Sequence, residues 1–277
     1  MKLKGHSNFN LKLIKNKDGY FVEKSGGKRL VYQWKKQDVY QKLIVSNTEL
    51  SYLFDVPKVI SHSCPDRTPS LFIIPFYNGR NILDILECGD ITLLDDLVNK
   101  LFMYLKWEFD NSKLQNESFN TKEKLNDIAD KMDDYKLKSI CYKLSGLCEQ
   151  NINIPVGYCH GDFTFSNMIF GNKIILIDWL DSFIESPIQD VCKILQEVRL
   201  KWTLLMDNPI NRDMTKINIG YDYLRQKITQ RVIEDFYEYE DLIRIFYVIT
   251  LLRIIPYTKK DTRIYRILLK EIERIKI

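Results

Sequence analysis

Asp162, Asn167 and Asp178 are the residues of this chain best placed to do chemistry. The first two lie in Tyr158-Cys159-His160-Gly161-Asp162-Phe163-Thr164-Phe165-Ser166-Asn167, and the third in Ile175-Leu176-Ile177-Asp178-Trp179. An aspartate and an asparagine five positions apart on a loop can face one reacting centre, the first accepting a proton from a hydroxyl and the second holding a metal ion. Asp178 ends an apolar run, Lys173 to Ile177, that reads as a buried strand, so a second carboxylate would stand at a fixed edge beside them. Such oxygen ligands suit Mg2+ held together with a nucleoside triphosphate. A lone loop aspartate is usually a turn former or a helix cap. The signal lies in the ordered set.

That order is an apolar run, His-Gly-Asp, four spacers, Asn, a short hairpin through Phe170-Gly171-Asn172-Lys173, and a strand closing on Asp178. It mirrors the H-R-D-x-x-x-x-N and D-F-G pair of protein kinases. The chain resembles the aminoglycoside phosphotransferase and choline kinase family, whose members carry His-Gly-Asp in the catalytic loop and Ile-Asp-Trp or Ile-Asp-Phe at the second metal site. The resemblance implies Asp162 as the catalytic base and Asn167 with Asp178 as the magnesium ligands. It also implies a supporting role for His160, and an anchoring role for Asp190 in Ser186-Pro187-Ile188-Gln189-Asp190-Val191. Asp181 is open between a substrate or second-metal contact and a solvated loop acid.

The elements that must position these groups fit 277 residues with 45% hydrophobic and 28% charged residues, enough for a large core and too few Gly and Pro for a long flexible tract. A net charge of +4 with signs mixed throughout does not suggest a nucleic-acid partner. The six cysteines show no Cys-x-x-Cys pair and no histidines at metal spacing, so they read as reduced thiols. With no apolar amino-terminal stretch to act as a signal, the expected location is cytoplasmic. The apolar run Leu242 to Pro256 is interrupted by Arg244 and Arg253 and falls short of the roughly 20 residues needed to cross a bilayer. No stable membrane insertion is expected.

Phe9 to Ile14 and Tyr20 to Ser25 read as two strands joined by a turn ending in Asp18-Gly19. Alternation puts Val22 and Lys24 on one face, an apolar residue for adenine and an amine for the phosphates. A helix follows over Lys28 to Leu43, with Leu30, Trp34 and Val39 or Leu43 inward and with Gln33 or Gln37 available to hold Lys24. Gly5-His6-Ser7-Asn8 resembles the family's phosphate loop, which makes Ser7 and Asn8 nucleotide contacts. Leu71 to Phe76 reads as another strand, and a hinge is placed at Pro75 to Gly79, where the backbones of Ile74, Phe76 and Tyr77 would meet the base of ATP or GTP. Beyond it the periodicity predicts helices over Ile82 to Leu86, Leu93 to Phe109, Lys122 to Gln150, Ile188 to Leu204, Gly220 to Tyr237, Leu242 to Ile255 and Thr262 to Ile275.

The resemblance therefore implies an α+β, bilobal protein-kinase-like fold. A small β-rich lobe over residues 1–78 would bind the nucleotide, and a large, mainly helical lobe over 79–277 would carry catalysis and substrate binding. The implied activity is transfer of the terminal phosphate of a magnesium-bound nucleotide to a hydroxyl of a small molecule such as an amino alcohol, an aminoglycoside or a sugar. The alternative is a non-catalytic nucleotide-binding pseudokinase, for which the short amino-terminal loop and the glutamine near Lys24 argue. The acidic and aromatic run Glu234 to Asp241 would attract a cationic acceptor, or else complement the dipole of the helix after it. The basic, amphipathic segment Thr258 to Ile277 would lie on an anionic membrane or pack on its own domain.

Overall fold

The computed structural model describes residues 9–63, 70–148, 152–207, 209–260 and 262–275. Ser7, Asn8 and the rest of the amino-terminal loop lie outside the described residues, as does Cys64. The first hairpin pairs β1 (Asn10–Asn16) with β2 (Gly19–Gly26) in the register Leu11↔Lys24, Leu13↔Val22 and Asn16↔Gly19. Asn16 Oδ1 accepts the Asp18 N–H at 2.8 Å, and Gly19 takes φ 133°, a conformation closed to side chains. α1 (Arg29–Ser46) and α2 (Thr48–Leu53) follow, separated by Asn47, whose side chain caps α2 by accepting from Leu50 N.

The buried stripe of α1 is Leu30, Gln33, Gln37, Tyr40 and Ile44, at helical spacing. This corrects the expected inward face, since Val39 is 48% exposed and Trp34 stacks on His62 with ring centroids 3.9 Å apart. Two glutamines on the stripe hid it from a hydrophobicity pattern. Gln37 tolerates burial because its Nε2 donates to Pro57 O at 2.7 Å.

Short strands β3 (Phe54–Asp55) and β4 (Ser61–His62) precede β5 (Ser70–Pro75), which completes a four-stranded sheet in the order β1-β2-β5-β4. Next come α3 (Ile82–Cys88), α4 (Ile91–Asp110), β6 (Lys113–Asn116), α5 (Ser118–Asp130) and α6 (Tyr135–Leu147). The single helix expected over Lys122 to Gln150 is thus two helices. Asp134 interrupts it, its carboxylate accepting from Lys136 N and Leu137 N as the amino-terminal cap of α6. β7 (Asn153–Val156) pairs with β6, and β8 (Met168–Phe170) forms a hairpin with β9 (Ile174–Leu176). The helices α7 (Pro187–Leu200), α8 (Trp202–Asp207), α9 (Met214–Asp235), α10 (Glu240–Leu252) and α11 (Arg263–Arg274) complete the chain. The helix expected over Ile188 to Leu204 breaks where Lys201 takes a left-handed φ of 53°. α11 buries Tyr265, Leu268 and Ile272, so the basic carboxy-terminal helix packs on its own unit.

Two compact units result, Met1–Asp84 with Phe165–Asp181, and Ile85–Thr164 with Ser182–Ile277. These bounds differ from the expected break after residue 78, for two reasons. Arg80 and Phe170 exchange backbone hydrogen bonds at 2.9 and 2.8 Å, and β9 runs parallel to β3, pairing Phe54↔Ile174 and Asp55↔Ile175. Backbone pairing therefore draws the β8–β9 hairpin into the first unit. Among the described residues, no helix is long and apolar enough to cross a membrane.

Candidate active site

The residues singled out for chemistry fall into two groups, one within each unit. In the first unit, Lys24 stands at the centre of its sheet between Leu11 and Phe72, with its side chain 3% exposed. Its Nζ lies 2.6 Å from Asp178 Oδ1 and 4.9 Å from the centroid of the Phe9 ring. A buried ammonium needs a partner, and the carboxylate supplies it. Neither glutamine does so. Gln37 is bonded to Pro57, and the Gln33 amide makes no hydrogen bond among the described residues.

Asp178 takes φ 62° just past β9, a conformation rare outside glycine, and its side chain is 34% exposed. The β8–β9 ladder sets its place. Met168 pairs with Leu176, and Ile177 N donates to Asn167 O at 3.0 Å, so Asn167 and Asp178 flank the open end of one hairpin. Trp179, fully buried, packs 4.0 Å from the Tyr40 ring and fixes the chain as it leaves Asp178. One carboxylate and one carboxamide at a strand end form a hard-oxygen donor set that fits magnesium, the phosphates and water completing its shell.

Val22 is paired with Ile74 across the sheet, and Phe21 with Pro75. Of the backbone groups expected to meet a nucleotide base, the Phe76 N–H is already given to Tyr20 O at 2.9 Å and Ile74 is inside the ladder. Tyr77 N–H has no acceptor among the described residues, which makes it the open donor of this segment. The Tyr77 hydroxyl lies 3.5 Å from Asp55 Oδ2. Burial pushes its pKa up, and the Asp55 charge adds to this.

In the second unit, Asp162 is held by a loop that is itself anchored. Ser186 caps α7 by accepting from Ile188 N, Pro187 occupies its first turn, and Asp190, fully buried one turn in, accepts the backbone N–H of His160 and that of Gly161, the latter at 2.8 Å. Gly161 takes φ 88°, which a side chain would strain. His160, also fully buried, receives the Asp162 N–H on Nδ1 at 3.3 Å, so its ring supports the loop from within. The Asp162 carboxylate remains 26% exposed, with Lys193 Nζ 3.0 Å from Oδ1.

Residues 106–215 match the model of the Phosphotransferase enzyme family. The chain also superposes over 99% of its length on 92% of the aminoglycoside phosphotransferase APH(4)-Ia, with a TM-score of 0.67 at 13% identity. A thermostable mutant of that enzyme in ternary complex with AMP-PNP and hygromycin B gives 0.63 at 12% identity, over 99% of this chain and 92% of that one. A glucosamine kinase in complex with glucosamine, ADP and inorganic phosphate gives 0.54 at 7% identity, over 96% of this chain and 76% of that one. The fold is protein-kinase-like, of the aminoglycoside phosphotransferase kind. Among curated proteins, none matches the sequence.

On this phosphotransferase fold the sequence reading missed two cations of the second unit. Lys193 lies three residues beyond Asp190 on α7. The signal was available, because positions i and i+3 share a helix face and Asp190 was already assigned to the loop. Arg253 stands just past α10, its guanidinium 5.4 Å from the centroid of the Phe183 ring and near enough to Asp162 to feel its charge. Nothing local in the sequence distinguished it from an arginine interrupting an apolar helix.

The acid and aromatic run, by contrast, is largely absorbed into structure. Asp235 pairs with Lys106 and Arg231, each at 2.9 Å. Asp241 pairs with Arg244 at 2.6 Å, and Phe236 stacks on Phe109 with centroids 4.4 Å apart.

Proposed function

We propose that the protein transfers the terminal phosphate of a magnesium-bound nucleoside triphosphate, ATP or GTP, to a hydroxyl of a small molecule. The observation that carries this reading is the Lys24–Asp178 contact of 2.6 Å at the end of the β8–β9 hairpin. A buried amine and a strained carboxylate are kept ready there, each for a partner of opposite charge. Lys24 would bind the phosphates, and Asp178 with Asn167 would hold magnesium, which when bound neutralises charge on the phosphate oxygens. Val22 would offer an apolar wall to the base and the Tyr77 N–H a donor to its edge.

Asp162 would accept the proton of the attacking hydroxyl. Its loop is fixed by Asp190, so the carboxylate is oriented before the acceptor arrives and little reorganisation is left to the reaction. Lys193, 3.0 Å from Oδ1, would hold that carboxylate in place. The test is a transfer assay with Mg2+, ATP or GTP and a panel of hydroxyl compounds, run beside nucleotide titration. Acceptor-dependent release of ADP or GDP is expected. Tight magnesium-nucleotide binding with no transfer to any acceptor would favour a regulatory pseudokinase instead.

A further inference from the structure

The charge around Asp162 bears on what the acceptor is. Within the second unit two cations serve this carboxylate, Lys193 at 3.0 Å and Arg253 by longer-range attraction. Lys193 is engaged by that contact. Arg253 is different: apart from the stack on Phe183, its guanidinium makes no hydrogen bond or ion pair among the described residues. Its ring platform is itself held, since Phe183 stacks on Phe246 with ring centroids 5.9 Å apart.

Arginine presents five N–H donors in a rigid fork matched to carboxylate and phosphate oxygens. Burial works against its charge, lowering its proton affinity, with Asp162 and then Tyr257 opposing the shift. A guanidinium kept half-buried at that cost, stacked on one face and with its fork unspent, is arranged to receive an anion. Glu185, the acid that reaches the Asp162 loop at Cys159, is already spent on Ser182 N at 3.0 Å and Cys159 Sγ at 3.2 Å, so it does not offer a complementary seat for a cation.

We propose that Arg253 is a specificity-determining residue that receives an acid group of the acceptor, so that the preferred acceptor is a hydroxy acid or a similar anionic polyol rather than an amino alcohol or aminoglycoside. The proposal rests on the phosphotransferase reading of Asp162 and narrows its substrate class. The hydroxyl would be presented to Asp162 while the acid group is gripped by the guanidinium fork, which orients the acceptor as well as binding it.

The experiment compares compounds matched in skeleton and differing in charge: gluconate, glucose and glucosamine, and glycerate, glycerol and 3-amino-1,2-propanediol. Binding of each to the full chain is measured by titration calorimetry with Mg2+ and ADP present, followed by transfer assays with ATP. The anionic member of a set is expected to bind at least about tenfold more tightly than its cationic counterpart. Arg253→Gln is expected to erase that preference while leaving the neutral member unchanged, and Arg253→Lys to retain part of it. Phe183→Leu, which removes only the stacking platform, should weaken the anion more than the neutral compound.

Equal or tighter binding of the cationic members overturns the proposal, as does failure of both gluconate and glycerate to bind. Equal weakening of all members by Arg253→Gln also overturns it, by assigning the guanidinium to the transferred phosphoryl group. Loss of the phosphotransferase reading shows separately, as failure of Mg2+ and ADP to bind, and the same titrations repeated without nucleotide still report on Arg253.

Discussion

Asp178 stands in strained backbone and Asp162 follows a glycine that takes the positive φ without strain, and their surroundings separate their duties. Asp162 keeps a 26% exposed side chain beside Lys193, open to a hydroxyl. Replacing it in Asp162→Asn keeps the shape and removes the base, so turnover should fall by about 10²–10⁴ with nucleotide affinity nearly intact; steady-state transfer rates and nucleotide titration check this together. Asp178 answers for the metal and for the Lys24 charge. Asp178→Ala should lose magnesium-dependent nucleotide binding, and it should also lower the melting temperature, because Lys24 is left buried without its 2.6 Å partner. The Lys24→Met, Asp178→Ala double variant should recover that stability and not the binding. On the same strand, Lys24→Met is expected to weaken nucleotide binding or slow transfer by at least about tenfold, equivalent to roughly 1.4 kcal/mol, with Glu23→Gln close to the parent. Equal effects from both would mean that the strand faces were assigned the wrong way.

α7 is the element that ties loop, base and core together. Its capped start places Asp190 against the His160 and Gly161 N–H groups, and one turn later it offers Lys193 to Asp162. Asp190→Ala would leave two buried donors unmet, a loss of about 3 kcal/mol or more in stability, readable by denaturant unfolding. Its effect on transfer should exceed its effect on nucleotide binding, since Lys24 and Asp178 belong to other elements. The segment entering the loop is equally constrained. A Cβ at Gly157 would come within 2.8 Å of Asn111 O, while Gly157 N donates to Glu185 O at 2.8 Å. Gly157→Ala must therefore displace backbone on one side, and a lowered melting temperature is expected.

For the molecule as a whole, the cysteines serve as natural reporters. Among the described residues Cys88 is exposed, whereas Cys141, Cys148, Cys159 and Cys192 are buried. Burial pushes the Cys141 and Cys148 thiols up to about 11, and Cys192 higher still. Under native conditions a thiol reagent should modify Cys88 quickly and these four only as the second unit opens. Magnesium and nucleotide, if their ligands are Lys24, Asn167 and Asp178 of the first unit, should protect that unit by mass action. The ratio of the slow labelling rates with and without nucleotide then measures how far stability is shared between the two units.

The sequence by itself determined the order of the chemical groups and the local signals around them. His-Gly-Asp, the spacing to Asn167, the turn before Asp178, the Asp18-Gly19 hairpin and the Ser-Pro start of α7 are all short-range patterns, set by turn and capping preferences that act within a few residues. It also determined that Lys24 shares a strand face with Val22. Tertiary structure alone decided what Lys24 touches, because its partner stands 154 positions away and an equally suitable glutamine lay on the nearer helix. It decided that the α1 stripe runs through glutamines, since burial of an amide depends on a distant carbonyl at Pro57. It decided, finally, that an arginine just past the end of α10 stacks on Phe183, a residue 70 positions earlier, a meeting of two segments that no local pattern encodes.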